Sequence, residues 1–154
     1  SHREGNFIDL SFSNEQFYES LTHDINQTYK VRVYDATLVL TRKLFEGLLI
    51  DILRGHFGRQ RAELFYNTDT AQFHSFSVLI DNFEDNLTEF KIYSTAISDE
   101  VIEMLNNFRQ EGNISAHSIE VDITEEEIDD KRADATRLAE FLFNLWHKIQ
   151  IANT

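Results

Sequence analysis

Apolar residues recur at intervals of three and four along much of the chain, which is the spacing of a helix with one buried face. Residues 33–57 are apolar on more than one side, so they predict a central helix surrounded by others. Residues 31–34 and 38–40 have strand-forming side chains, but no hairpin turn accompanies them. The other stripes contain Phe73, Phe76, Ile80, Phe83 and Leu87; Val101, Leu105 and Phe108; and Ala135, Leu138, Leu142, Leu145 and Ile149, with Trp146 beside the last.

Four positions carry the residues that begin a helix. In such a start a polar side chain accepts a hydrogen bond from the first turn, and two apolar residues clamp that turn. The four are Ser13 with Gln16, clamped by Phe12 and Phe17; Asp69 with Gln72; Ser98 before Asp99 and Glu100, clamped by Ile97 and Ile102; and Thr124 with Glu127, clamped by Ile123 and Ile128. Together with the stripes, they predict an all-α bundle of about five helices, without solenoid repeats or a low-complexity linker.

The composition is that of a globular chain without disulfides or thiolate metal sites. Its 154 residues include no proline and no cysteine, and 27 acidic residues against 14 Lys and Arg give a formal net charge of −13. No apolar run approaches 18 residues, which predicts a soluble, cytoplasmic protein with no membrane partner. The chain opens with Ser1 and His2 and no methionine, which resembles a tag remnant and suggests a domain cut from a longer protein.

The positive charge is concentrated in one segment, residues 30–61, which contains seven of the basic residues and three acids. Arg54, Arg59 and Arg61 crowd the end of the predicted central helix. Cations are favoured at a helix C-terminus by the macrodipole, so a structural role explains them without a ligand. The alternative is contact with RNA phosphates, which would be local and salt-sensitive because the whole molecule repels polyanions.

Neither a metal nor a cofactor is predicted. The acids between Asp122 and Asp130 belong mostly to the first turns of a capped helix, and they lack the Gly or Asn turns of oxygen-ligand loops. None of the six histidines has the spacing of a zinc site. The chain also has no Gly-x-Ser-x-Gly elbow and no Gly-rich phosphate loop.

Arg109, Asn113 and His117 stand out as candidate active residues. We expect Gly112 to end one helix and Asn113 to cap the next, so that the three side chains border a break between two helices. If the residues after Asn113 are helical, Asn113 and His117 share a face. The alternative interpretation is that His117 is a packing or surface residue without a catalytic role.

These residues also carry a resemblance to the DUF4145 group of the HEPN superfamily, whose members are compact all-α domains. Residues 41–53 resemble that group's early helix, in which basic residues precede Leu-x-Glu and an apolar run. The second motif is Arg109-x-x-Gly112-Asn113-x-x-Ala116-His117, followed by residues 123–127 and a long closing helix. The resemblance implies one HEPN-like domain over residues 1–154, with residues 1–29 as an added N-terminal helix and residues 30–151 as the core bundle.

The resemblance implies a metal-independent endoribonuclease of a toxin or antiviral defence system, acting as a homodimer. His117 would be the general acid/base, Arg109 would stabilise phosphate charge, and Asn113 would orient the phosphate or the histidine. The commoner superfamily pattern has Arg immediately before the Asn, where this chain has Gly112. That departure favours an alternative, a non-catalytic dimerisation or interaction module with a protein partner or a fused effector domain. A third hypothesis is an acidic partner that mimics nucleic acid.

Overall fold

The computed structural model describes residues 2–117 and 122–154, and within them the chain is an all-α helical bundle, as predicted. The rest of the described chain consists of a two-stranded hairpin, two 3₁₀ segments and connecting loops. The helices are α1 (Gln16–Lys30), α2 (Tyr34–Phe57), α3 (Phe76–Asp85), α4 (Asp99–His117), α5 (Glu125–Asp130) and α6 (Arg132–Ala152); the strands are β1 (Tyr66–Asn67) and β2 (Gln72–Phe73); and the 3₁₀ segments are Arg59–Leu64 and Leu87–Ile92.

Helix α2 is the centre of the bundle, because α1, α4 and α6 all pack against it. The strand-forming residues at 38–40 are helical here, since packing in the core outweighs local propensity. Helix α2 has buried residues on more than one side, as the sequence pattern predicts: Leu44, Phe45, Leu48, Leu49, Ile52 and Leu53.

Helices α2 and α4 run antiparallel. The ring centroids of Phe45 and Phe108 are 5.1 Å apart, and the side chain of Arg42 lies against Gly112. The step from Phe45 back to Arg42 along α2 therefore corresponds to the step from Phe108 forward to Gly112 along α4. This register fixes which parts of the two helices stand level with each other.

Helices α3 and α6 occupy the two grooves on either side of the α2–α4 pair, because each of them contacts both helices. Lys131, immediately before α6, lies 3.2 Å from Glu111. That ion pair lies in one groove at the level of Gly112. At the same level the Arg42 guanidinium lies 5.4 Å from the ring of Phe76 on α3, which places α3 in the opposite groove.

The predicted helix start at Thr124 is confirmed by a hydrogen bond from the Glu127 backbone N–H to Thr124 Oγ1 at 3.1 Å. The predicted capping box at Ser13 is wrong, because α1 begins at Gln16 without a side-chain cap. Asn14 adopts a positive φ of 68°, which turns the chain just before the helix. Phe12 is buried whereas Phe17 is 58% exposed, so the two do not clamp the first turn.

The predicted helix start at Asp69 is also wrong, since this residue lies in the turn of the hairpin. The Asn67 side-chain oxygen accepts hydrogen bonds from the backbone N–H groups of Asp69 and Thr70. A side chain bonded to the backbone in this way stabilises a turn instead of a helix. Helix α3 begins later, at Phe76, where Ser75 is the cap.

The segment before α1 contributes to the same hydrophobic core as the helices. Phe7, Ile8 and Phe12 are fully buried. Asn26 of α1 holds this segment, because its Oδ1 accepts from the backbone N–H groups of Phe7 and Ile8 and its Nδ2 donates to the Ile8 carbonyl. None of the helices in the described residues is both long and apolar enough to cross a bilayer.

Candidate functional site

Helix α4 continues through Gly112, so the predicted break between two helices at this residue is wrong. The helix runs to His117, and Asn113 lies inside it and does not cap a new one. A Cβ built on Gly112 would stand 2.6 Å from both Cβ and Cδ of Arg42. The glycine therefore permits close packing of α4 against α2, and it has no capping role.

Arg109, Asn113 and His117 nevertheless lie on one flank of α4, because residues four apart in a helix are neighbours. Arg109 and Asn113 are half-buried and His117 is exposed. Arg109 Nε donates a long hydrogen bond of 3.4 Å to Asn106 Oδ1 on the same flank. Glu100 and Met104, which contact Arg137 of α6, are on the opposite flank of α4, so this row lies on the side of α3.

Arg42 is the residue near this row that the sequence does not single out. Its terminal nitrogen is 3.8 Å from a carboxylate oxygen of Glu46, and 28% of its side-chain surface is exposed. Its Nε is buried and has no hydrogen-bond partner among the described residues. Burial raises the pKa of Glu46, and the nearby Arg42 charge opposes that rise. A glycine inside a helix signals a close neighbour, but only the fold shows which one.

Arg54, Arg59 and Arg61 lie at the end of α2 and in the 3₁₀ segment that follows. Arg54 forms an ion pair of 2.7 Å with Asp51, and Arg61 lies 3.5 Å from Glu89. The Arg61 guanidinium also lies 4.6 Å from the ring of Phe57. These contacts are those of cations that stabilise the end of a helix and the turn after it.

The structure does not bring the two groups of predicted residues together. Arg54 follows Arg42 by twelve residues, which is about 18 Å along α2. Because α2 and α4 are antiparallel, this displacement leads away from His117. Any RNA contact at Arg54, Arg59 and Arg61 would thus be a separate surface from the α4 row.

Two acids of α5, Glu125 and Asp129, are engaged in structural contacts. Glu125 pairs with Arg32, and Asp129 accepts hydrogen bonds from Arg3 and Tyr29. Burial alone would raise the pKa of Asp129, but these hydrogen bonds and the Arg3 charge outweigh it and hold that pKa below its usual range. Within residues 2–117 and 122–154, no group of three or more His, Asp and Glu side chains has the geometry to hold a metal ion.

Two polar clusters elsewhere in the bundle carry no signal in the sequence. In the first, His56 Nδ1 lies 2.8 Å from the Tyr93 hydroxyl and its Nε2 lies 3.3 Å from Glu89. Burial raises the pKa of Tyr93. In the second, the hydroxyl of the buried Tyr18 donates to Asp51. Desolvation is the main cause that raises the pKa of Tyr18, and this hydrogen bond raises it further.

Exposed aromatic side chains gather in one groove formed by α1, α2, α6 and the hairpin. Phe17 is 58% exposed and Phe73 is 44% exposed, and both line the groove with the half-buried Trp146. Large apolar residues in such a groove are typical of surfaces that contact other molecules. This groove is a candidate contact surface separate from the α4 row.

A scan against protein-family models, a search of curated proteins and a search of solved structures each found no match to this chain. The HEPN resemblance of residues 41–53 and 109–117 stays a prediction.

Proposed function

We propose that this chain is a HEPN-like, RNA-cleaving domain whose active residues are on helix α4. The observation that supports the proposal is the placement of Arg109, Asn113 and His117 on one flank of a continuous helix. These side chains supply a cationic fork for a phosphate, an amide that both donates and accepts, and a group that transfers protons.

The reaction that suits these groups is transesterification within the RNA backbone. His117 accepts the proton of a ribose 2′-hydroxyl, and the 2′-oxygen attacks the adjacent phosphorus. The 5′-oxygen leaves and takes up a proton from water, and His117 returns its proton to solvent, which gives a 2′,3′-cyclic phosphate and a 5′-hydroxyl end. Arg109 stabilises the charge on the phosphate oxygens, and Asn113 orients the phosphate or the imidazole.

A second copy of the chain would complete this site. Arg109 and His117 are eight residues apart, which is about 12 Å along the helix axis. If two copies of α4 pack antiparallel about a two-fold axis at Asn113, Arg109 of each copy stands level with His117 of the other. Each of the two clefts then contains one arginine and one histidine.

The direct experiment is cleavage of single-stranded and structured RNA in the presence of EDTA. We expect cleavage by the unaltered protein, loss of at least about a hundredfold in rate with His117→Ala, and no loss with His147→Ala. His147 is an exposed histidine on α6, so it controls for removal of an imidazole. Cleavage that persists in His117→Ala, or that is absent from the unaltered protein, contradicts the proposal.

A mixing experiment tests the shared cleft. Arg109→Ala and His117→Ala are each expected to be inactive alone. A mixed dimer of the two contains one cleft with both native residues, so mixing should restore activity up to half of the wild-type rate per mixed dimer. If the wild type is active and the mixture is not, the arginine and histidine act within one chain.

The second candidate function is a non-catalytic interaction module, and the groove lined by Phe17, Phe73 and Trp146 favours it. Such a module would bind a protein partner through this groove and would cleave no RNA. A well-folded dimer that fails the cleavage experiment would support this second function.

A further inference from the structure

The geometry points to Arg42 as a second phosphate-binding arginine of the α4 site, an inference that rests on the proposed function. Arg42 lies on α2, and its alkyl chain crosses α4 at Gly112, between Arg109 and Asn113. In this chain an arginine from a neighbouring helix occupies the space above that glycine.

The guanidinium of Arg42 lies on the same side of α4 as the candidate row. Its central carbon is 5.4 Å from the ring of Phe76, so it lies in the groove that α3 closes. Glu46, the nearest carboxylate to it, is one turn further along α2. In the antiparallel register, that turn is level with the segment from Asn107 to Phe108.

The Arg42 guanidinium has hydrogen-bonding capacity to spare. Its Nε has no partner among the described residues although that atom is buried, and its ion pair with Glu46 is long at 3.8 Å. A buried polar atom without a partner is rare, because the lost hydration is not replaced. A phosphate in the groove would supply acceptor oxygens for the guanidinium, and arginine is well suited to bidentate contact with a phosphate.

Two arginines in one groove would also provide the local positive charge that RNA binding needs on an acidic protein. A net charge of −13 repels RNA at long range, so binding needs a local concentration of cations. Arg42 and Arg109 supply such a concentration, because the ion pair of Arg42 with Glu46 is long at 3.8 Å. The ion pairs of Arg54 and Arg61, at 2.7 and 3.5 Å, are shorter and reduce the positive charge at the other end of α2 more strongly.

The test measures binding of a mixed-sequence 2′-O-methyl RNA oligonucleotide, which lacks the nucleophile and cannot be cleaved. Arg42→Met keeps the alkyl packing on Gly112 but removes the charge. We expect about a tenfold or greater loss of affinity, and a shallower dependence of log affinity on log salt by about 0.7, the value for one phosphate contact on a single strand. Thermal unfolding of each variant checks that the bundle remains folded.

Lys43→Met is the matched control, because it removes the same charge from the adjacent position. Lys43 is exposed, and its ammonium lies 6.0 Å from the ring of Phe17 on the α1 side of α2. We expect less than a twofold change in affinity. Arg42→Lys keeps a charge but loses the planar fork, so it should retain the salt dependence and bind more weakly than wild type. If Arg42→Met fails to fold, Arg42→Lys alone decides the question.

The outcomes separate the two proposals. If the wild type binds the oligonucleotide and Arg42→Met binds equally well with the same salt dependence, the role of Arg42 is refuted and the proposed function stands. If the wild type binds and Arg42→Met is weakened as expected but no RNA is cleaved, Arg42 is a binding residue and the catalytic proposal fails. If the wild type neither binds nor cleaves RNA, both proposals are wrong.

Discussion

Replacing Gly112 with alanine tests the close packing of α4 against α2. Alanine in place of glycine inside a helix should stabilise the protein by about 1 kcal/mol through helix propensity. The new Cβ, however, would stand 2.6 Å from Cβ and Cδ of Arg42. Overpacking of this kind costs about 1–3 kcal/mol, so Gly112→Ala should lower the free energy of unfolding by up to about 2 kcal/mol.

In a protein that carries Arg42→Gly, Gly112→Ala should instead raise the free energy of unfolding. Arg42→Gly removes both atoms that the new methyl group would meet, so the propensity gain of about 1 kcal/mol remains and the overpacking does not. The assay is urea unfolding of the four proteins of this double-mutant cycle, and Ala116→Gly at an exposed position of α4 measures the propensity effect separately. If Gly112→Ala stabilises the wild type and the Arg42→Gly protein equally, the proposed contact is absent and the account of Gly112 is refuted.

Three further predictions concern the stability of the bundle. Asn26→Ala leaves the buried backbone N–H groups of Phe7 and Ile8 without their side-chain acceptor, so it should lower the free energy of unfolding by about 2–4 kcal/mol. Asn144→Ala, at an exposed position, should change it little. Thr124→Ala should cost about 1 kcal/mol through loss of the α5 cap, which Thr124→Ser would retain. The pKa of Asp129 is lowered in the folded protein, so its contribution to stability is present above the ordinary aspartate pKa of about 3.9 and is lost as the pH falls through the lower folded value. In urea unfolding between pH 2 and pH 7, the free energy of unfolding of Asp129→Asn should therefore approach that of the wild type as the pH falls. A difference between the two proteins that does not vary with pH would contradict this reasoning.

Much of the fold is predictable because its signals are local or periodic. The apolar positions of α2 surround the helix and mark it as central, and Thr124 with Glu127 marks the start of α5. The hairpin is not predicted because Asp69 resembles a helix start, and the competing hydrogen bonds of Asn67 decide the turn.

The candidate site is only partly predictable, for a different physical reason. The spacing of Arg109, Asn113 and His117 places them on one flank as soon as the segment is helical. The role of Gly112, by contrast, depends on Arg42, which is 70 residues away in the sequence. A glycine that ends a helix and a glycine that accommodates a neighbouring side chain look the same in the chain, so only the packed structure distinguishes them.

The most direct test of the proposed function is identification of the RNA ends produced by the wild-type protein in EDTA. We expect 2′,3′-cyclic phosphate and 5′-hydroxyl ends, and we expect both to disappear with His117→Ala while they persist with His147→Ala. Products with 3′-hydroxyl ends, products that do not depend on His117, or intact RNA after incubation with the folded protein would contradict an RNA-cleaving site on helix α4.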